Sequence, residues 1–347
     1  MSKPISYKDS GVDIDAGNES VKRIKSLVQA TYNDTVLGGI GGFGGMVDLG
    51  LILKGYKHPV LVQSIDSVGT KLMVANMAGR HDTIGIDMVA HSCNDILCQG
   101  ARPISFLDYI AANKVRPEHI EEILKGISIG CKEAGFPVIG GEIAELPGVY
   151  TGEEYELVGA VTGVVEKEKI VDGRKIKPGD TLIGLKSSGL HTNGYSLARK
   201  ALFSHAGYSV HDHIKELGTT LGDALLRPHR NYSVSVLRLM EMVEVKGIAH
   251  ITGGGLVENI PRILPEGVDA GIRRNTWETP PIFQLIQRTG NVPEEDMVRT
   301  FNMGIGLVLF IAEEETEKAL KALQEDGESA IVIGEAMGSG KRKVRLQ

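Results

Sequence analysis

The stretch that most constrains the fold is an apolar segment with charge set into it, residues 82–99, DTIGIDMVAHSCNDILCQ. Asp82 and Thr83 can cap a helix there and Gly100 can end it, while Ile84, Ile86, Met88, Val89, Ala90, Cys93, Ile96 and Leu97 lie between. Asp87, His91, Asn94 and Asp95 follow at i, i+4, i+7 and i+8, so all four project from one face. A helix this apolar is expected to be buried on most sides. Desolvating an unpaired carboxylate costs far more than a packing contact returns, so the stripe asks for a cation. The alternative is a solvated polar face on an ordinary amphipathic helix.

The preceding segment supplies the other pieces. Residues 59–65 are apolar and β-branched, the pattern of a buried strand, and the run stops at Asp66. Gly69, Thr70 and Lys71 then offer bare backbone, a hydroxyl and a cation, a trio suited to phosphate oxygens. Beside Asp66 and Lys71, the helical stripe reads as a magnesium and polyphosphate site, because hard oxygen ligands suit Mg2+.

A chain of 347 residues is long for one core, and two domains of about 170 residues are the natural division. Residues 166–180, EKEKIVDGRKIKPGD, are charged and punctuated by Gly and Pro, which places the boundary near Ile170, between domains 1–170 and 171–347. The net charge of −6 argues against nucleic acid, yet leaves room for an anionic substrate held by local amides and a few cations. Cys93, Cys98 and Cys131 form no C-x-x-C pair and read as reduced thiols of a cytoplasmic protein. The amino terminus has no apolar signal core, and no run approaches membrane-spanning length. The 44 glycines imply loops that approach something closely.

In chain order, an amphipathic helix is expected over about 19–30, capped by Asn18, with Val21, Ile24, Leu27 and Val28 inward. Lys22, Arg23 and Lys25 lie on its other side, as a solvated basic face. Residues 38–45, GGIGGFGG, contain a G-x-G-x-x-G match at Gly39, Gly41 and Gly44. No strand clearly precedes it and 46–53 looks like a strand, so a flap over a ligand, or a plain mobile loop, fits better than a dinucleotide turn. Strand 104–111, helix 117–134, strand 137–139 ending in Gly140, Gly141 and Glu142, and strand 155–165 make an α+β domain with a mixed sheet.

The second half reads as another α/β domain. Strand 181–185 leads into SSGLHTNG, where Ser187, Ser188, Gly189, Thr192 and Asn193 offer hydroxyls and amides at a helix start, an anion site. His191 is a second cation, a proton donor, or a structural turn histidine. Strand 248–251 leads similarly into Thr252, Gly253, Gly254 and Gly255, which fit a second anion, a polar substrate tail, or only a tight turn. Strands 268–272, 303–311 and 330–333, with helices 281–288 and 313–326, complete the domain. GSGKR at 338–342 is not a P-loop, since the upstream Gly and the following helix are missing.

DIDAGN (13–18), GGFGG (41–45), VGTKL (68–72), RHDTIGID (80–87), Asn94 with Asp95, QGA (99–101), FLDY (106–109), GGE (140–142) and GEEY (152–155) run through the first half; SSGLHTNGYS (187–196), TGGG (252–255), ENIPR (258–262) and RTFN (299–302) continue through the second. Together they resemble the phosphoribosylformylglycinamidine cyclo-ligases, or aminoimidazole ribonucleotide synthetases. That family lies in an ATP-binding superfamily with formylglycinamidine ribonucleotide synthetase, selenophosphate synthetase and thiamine-monophosphate kinase. Ser67 departs from the family's usual D-G-V-G-T-K. A selenophosphate synthetase would need a reactive Cys in its glycine-rich arm, and none precedes Cys93. The SSG-H-NGYS and TGGG-ENIPR elements speak against thiamine-monophosphate kinase, and the intact carboxylates against a silent nucleotide-binding regulator.

The resemblance implies a homodimer whose amino-terminal mixed sheets share a barrel, with ATP near the interface and substrate held by the carboxy-terminal domain. It implies a ligase that forms a C–N bond, closing formylglycinamidine ribonucleotide to aminoimidazole ribonucleotide with release of ADP and phosphate in purine synthesis. Mg2+ falls to Asp66, Asp95 and Glu142, with Asn94 and Asp87 in support; the resemblance also allows a monovalent cation. Lys25, the flap glycines Gly41, Gly42 and Gly44, and Gly69, Thr70 and Lys71 fall to ATP. Ser187, Ser188, Gly189, His191, Asn193, His250, Thr252, Gly253 and Gly254 fall to substrate. Asp95, Glu142, Lys71 and His191 form the implied catalytic set, with Asp95 or Glu142 as a proton acceptor when not metal-bound.

Overall fold

The structure, a computed structural model, describes residues 4–338 and 341–347; Ser339 and Gly340 of the GSGKR segment lie outside them. Helix α1 (Ile14–Gln29) starts earlier than expected because Asp13, not Asn18, caps it, its carboxylate accepting from the Asp15 and Ala16 amides. The Glu145 carboxylate takes the Asp13 amide as well as that of Val115, and so pins the arm to the sheet.

Strand β1 (Pro59–Ser67), helices α2 (Lys71–Ala78) and α3 (Ile84–Leu97), strand β2 (Arg102–Ala112), helix α4 (Pro117–Ala134), and strands β3 (Val138–Glu145) and β4 (Tyr155–Glu166) form the first layer pair. The sheet order is β1-β4-β2-β3, antiparallel except for the β2·β3 pair, the mixed sheet the sequence implies. Helix α3 lies against this sheet, with α4 packed on it and α1 on α4. Two glycines set the α3·α4 spacing: a Cβ on Gly85 would sit 2.2 Å from the Ile123 carbonyl oxygen, and one on Gly126 2.5 Å from that of Asp82. Asp87, His91 and Asn94 are all buried, so the solvated-face alternative for this helix fails.

Three expectations change. Strand β1 is buried on one face only; Leu61 and Ile65, with Leu107 of β2, leave the opposite face open, Ile65 at 72% exposure. Residues 46–53 are not one strand but a two-residue strand, Met46–Val47, and a helical turn, Leu49–Ile52, because the Asp48 side chain caps the Leu51 amide. Gly140, Gly141 and Glu142 are not a turn but the middle of β3. Gly141 is required there by its neighbour on β2, since a Cβ would lie 2.4 Å from an Asp108 carboxylate oxygen.

The second half forms a six-stranded sheet from β5 (Thr181–Lys186), β6 (Val245–His250), β7 (Val268–Ile272), β8 (Ile305–Ile311), β9 (Ala330–Gly338) and β10 (Val344–Leu346), in the order β6-β8-β5-β9-β7-β10. Only β7·β10 is parallel. The halves are not separate cores: Val68, Leu72 and Ala75 share one apolar cluster with Leu190, Tyr195, Leu225 and Phe301. That shared cluster fixes α2 and α3 against the segment that follows β5.

Asp108 carries a measurable signature of this packing. Burial pushes its carboxyl up from the usual 3.8 to about 7. The folded chain therefore binds a proton that the unfolded chain has released, and stability falls as pH rises from about 4 to 7, then levels. Urea unfolding at pH 5 and pH 8 should show wild type losing on the order of 2–3 kcal/mol more than Asp108→Asn over that interval. Equal losses in the two proteins would show that Asp108 ionises normally in the fold.

Candidate active site

At the end of β1 and along α3, two carboxylates meet a row of imidazoles supplied by both halves. Asp66 Oδ2 lies 2.7 Å from His91 Nε2, and Asp95 Oδ2 lies 3.9 Å from the same nitrogen. Asp95 Oδ1 lies 2.8 Å from His250 Nδ1, at the end of β6, and Ser64 donates to its other oxygen at 3.3 Å. The far side of each ring is also held. His91 Nδ1 is 2.7 Å from the Thr192 hydroxyl, which is 3.3 Å from His229 Nδ1, and His229 Nε2 is 3.1 Å from His250 Nε2. His191 stacks on His229 with ring centroids 3.9 Å apart, and its Nε2 accepts the Ser188 amide.

Proton positions follow from the ends of this chain. Carboxylates only accept, so His250 carries a proton on Nδ1 and His91 one on Nε2. Beyond them, His229 Nε2 lies between His250 Nε2 at 3.1 Å and the Asn94 amide nitrogen, a donor, at 3.2 Å, and the Thr192 hydroxyl joins His229 Nδ1 to His91 Nδ1. Asn94 holds the adjacent backbone: its amide nitrogen donates to the Arg230 carbonyl and its oxygen accepts from the Tyr232 amide.

The electrostatics divide the row. Burial works against charge on His91, but the hydrogen bond and charge of Asp66, with Asp95 behind it, raise its pKa. Burial lowers His250 despite Asp95, and drives His191 and His229 well down, helped by neighbouring cations. Burial would raise Asp95, yet the His250 hydrogen bond and the charges of His250 and His91 bring it down. Asp66 and Asp95 are the open side of the site, with 35% and 30% of their side chains exposed.

Two loops frame the row. Ser187 donates to the Gly189 carbonyl and to Asn302 Oδ1, Asn302 donates to the same carbonyl, and Ser188 bonds to the Pro228 carbonyl. Asn259 ties up the carbonyls of Thr252, Gly253 and Gly255, and Gly254 takes a positive φ of 101° that suits glycine. A Cβ on Gly253 would lie 3.4 Å from Asn193 Oδ1, so the loops abut.

Residues 50–165 match the family model described as AIR synthase related protein, N-terminal domain, and residues 177–347 its C-terminal counterpart. A phosphoribosylformylglycinamidine cyclo-ligase of Citrifermentans bemidjiense is 54% identical over 344 residues, 99% of this chain and 98% of that protein. One from Carboxydothermus hydrogenoformans is 52% identical, covering 98% of each. The chain belongs to the phosphoribosylformylglycinamidine cyclo-ligase family. It is therefore a ligase. Among solved structures, thiamine-monophosphate kinase from Stenotrophomonas maltophilia superposes with a TM-score of 0.69 at 16% identity, covering 95% of this chain and 96% of that one. HypE in complex with ATP gives 0.61 at 18%, covering 97% and 92%; both likenesses are of fold.

Of the residues expected to act in a cyclo-ligase, the structure brings together Asp66, Asp95, Asn94, His191 and His250, with Ser187, Ser188, Gly189, Asn193, Thr252, Gly253 and Gly254 in the framing loops. It does not bring Glu142 to them within one chain. Asp66 pairs with Gly159, Gly159 with Asp108 and Asp108 with Gly141, so the strand of Glu142 is the far edge, about 14 Å away at three strand spacings. Lys71 also departs from expectation. Its ammonium is fully buried, 2.8 Å from Asp87, 3.1 Å from the His191 carbonyl and 2.8 Å from that of Arg227. Asp87 is equally buried and also accepts the His229 amide at 2.6 Å. Gly69, at a φ of 61°, and Thr70, whose hydroxyl is 3.2 Å from that of Ser196, stay at the surface. Lys25 is exposed on α1, and Gly41, Gly42 and Gly44 stand open in their loop.

His91 and His229 were not assigned a role from sequence. His91 carried a signal, its place on the α3 stripe; His229 lies in an irregular segment with none. Thr192 is the joint between them. Thr192→Val would leave His91 Nδ1 and His229 Nδ1 without their shared hydroxyl partner in a buried place, at a cost of about 1–3 kcal/mol. Denaturant unfolding should show that loss for Val and recover at least half of it for Thr192→Ser; equal stability of Val and wild type would break the chain as drawn.

Proposed function

We propose that the protein uses ATP to close formylglycinamidine ribonucleotide to 5-aminoimidazole ribonucleotide, releasing ADP and phosphate, in purine synthesis in the cytoplasm. The observation that carries this reading is the carboxylate and imidazole row of Asp66, His91, His250 and Asp95, in a chain 54% identical over nearly its whole length to a protein of that name. Three unpaired thiols suit a reducing compartment, and among the described residues no helix is long and apolar enough to cross a membrane.

An amide oxygen is a poor leaving group, so the amidine nitrogen cannot displace it directly. Moving the γ-phosphoryl of ATP onto that oxygen gives an iminophosphate from which phosphate departs readily. Such a transfer needs positioning and charge neutralisation more than covalent help. Mg2+ arriving with ATP would be held by Asp66 and Asp95, whose exposed oxygens are hard donors, and it would neutralise phosphate charge there. Glu142 of the same chain does not join them, since it stands on the opposite sheet edge. The loops 187–194 and 252–255 would hold the ribose phosphate and amidine end, with amides free to face an anion.

A homodimer fits the first sheet. Leu61, Ile65 and Leu107 form an open apolar face, and β1 and β3 are unpaired edges that closing a barrel with a second copy would remove. Sedimentation of Ile65→Asp should show monomers where wild type shows dimers; a dimer that survives the charge would move the interface elsewhere.

The reaction is tested by measuring ADP and aminoimidazole product together from Mg-ATP and formylglycinamidine ribonucleotide. The two should appear one for one and only with that substrate. Asp95→Asn should lower kcat at least about a hundredfold without unfolding the chain, by removing charge where phosphate charge develops. ADP without ring closure would keep a nucleotide site and reject the cyclisation; full turnover by Asp95→Asn would remove Asp95 from the chemistry.

A further inference from the structure

We propose that Lys71 is a positioning residue and not a phosphate ligand: with Asp87 it locks α2 and α3 to the two segments that carry His191 and His229. Its consequence for turnover rests on the cyclisation reading above; its geometry does not. An ammonium has three N–H bonds, and here Asp87, the His191 carbonyl and the Arg227 carbonyl supply three acceptors. Neither Lys71 nor Asp87 has any exposed side-chain surface. To reach a phosphate, Lys71 would abandon two carbonyls and leave Asp87 as a buried anion.

The bonds fall on the backbone that sets the imidazole row. His191 holds a φ of 62°, a left-handed conformation uncommon outside glycine, and Lys71 fixes its carbonyl. Asp87 Oδ1 takes both the Lys71 ammonium and the His229 amide, so one carboxylate oxygen joins the two stacked rings to α3. His229 in turn reaches His250 at 3.1 Å. Lys71 is also the first residue of α2, directly after Gly69 and Thr70. The lock therefore stands between the Gly69–Thr70 turn and the backbone of His191.

The test is acylation of the folded protein by a water-soluble amine reagent, with and without Mg-ATP, read by peptide mass spectrometry. Lys8, Lys175 and Lys321, exposed at 70%, 69% and 79% of their side chains, should label while Lys71 stays unmodified in both conditions. Labelling of Lys71 in the free protein with protection by Mg-ATP would overturn the proposal, whatever reaction the enzyme performs. Kinetics give the second arm, with Lys71→Met and Asp87→Leu made singly and together, so that one variant holds no uncompensated buried charge. Lys71→Met should lower kcat at least about tenfold, with KM for ATP changed less than about threefold, and the double variant should be no worse than that single one. An effect of Lys71→Met on KM for ATP that is the same with and without Asp87 would restore the phosphate role.

Discussion

The buried pair of Lys71 and Asp87 is the interaction on which the rest of the arrangement depends. Burial pulls the lysine down and the aspartate up, each towards its neutral form, and only the opposite charge at 2.8 Å resists. An apolar pair of similar volume could fill the same space and avoid the cost of burying two charges. What it could not do is accept the His229 amide and donate to the carbonyls of His191 and Arg227. Direction, more than stabilisation, is what the charges contribute: they tie the main chain of the two segments that carry His191 and His229 to α2 and α3, beside the apolar contact around Val68, Leu190 and Tyr195.

From that anchor the site grades outward from neutral to charged. His191 and His229 are fully enclosed and lack charge; His250 is enclosed but touches Asp95; His91 bridges towards Asp66; the two carboxylates open to solvent. The gradient follows from desolvation. Each step inward makes charge more costly, so cations and anions persist only where a partner lies within hydrogen-bond reach. On the proposed function, a polyanion with its metal would meet the polar mouth, and the ring-closing substrate would meet the uncharged donors and acceptors behind it.

How much of this was legible in the sequence depended on whether the signal was local. The α3 stripe was, because four polar residues at helical spacing in an apolar run require burial next to something polar. The strand of Asp66, the span of α4 and the mixed character of the first sheet were also legible. Within one chain Glu142 does not lie beside Asp66: a strand followed by glycines and a carboxylate looks the same twice, whereas strand order is set by distant pairing. The Gly140 and Gly141 pair resembled a turn and is instead the space that Asp108 needs. Lys71 was read from its neighbours Gly69 and Thr70, but its partners lie 16, 120 and 156 positions away. His229 has no periodic context at all, and only the contacts of His191, His250 and Thr192 identify it.

The same electrostatics bear on which group would take the proton that the proposed ring closure sheds. Asp95 is poorly suited: His250 and His91 hold its pKa down, and a carboxylate made more acidic is a weaker base. His91 is no better, because Asp66 favours its protonated form and it then has no lone pair to offer. His250, lowered by burial, is the weaker base for it, and its Nε2 faces His229 while Asp95 orients its Nδ1–H. On the proposed function Asp95 would therefore serve as a ligand and not as the base: one oxygen orients His250, and the side chain's exposed part is left for a metal ion.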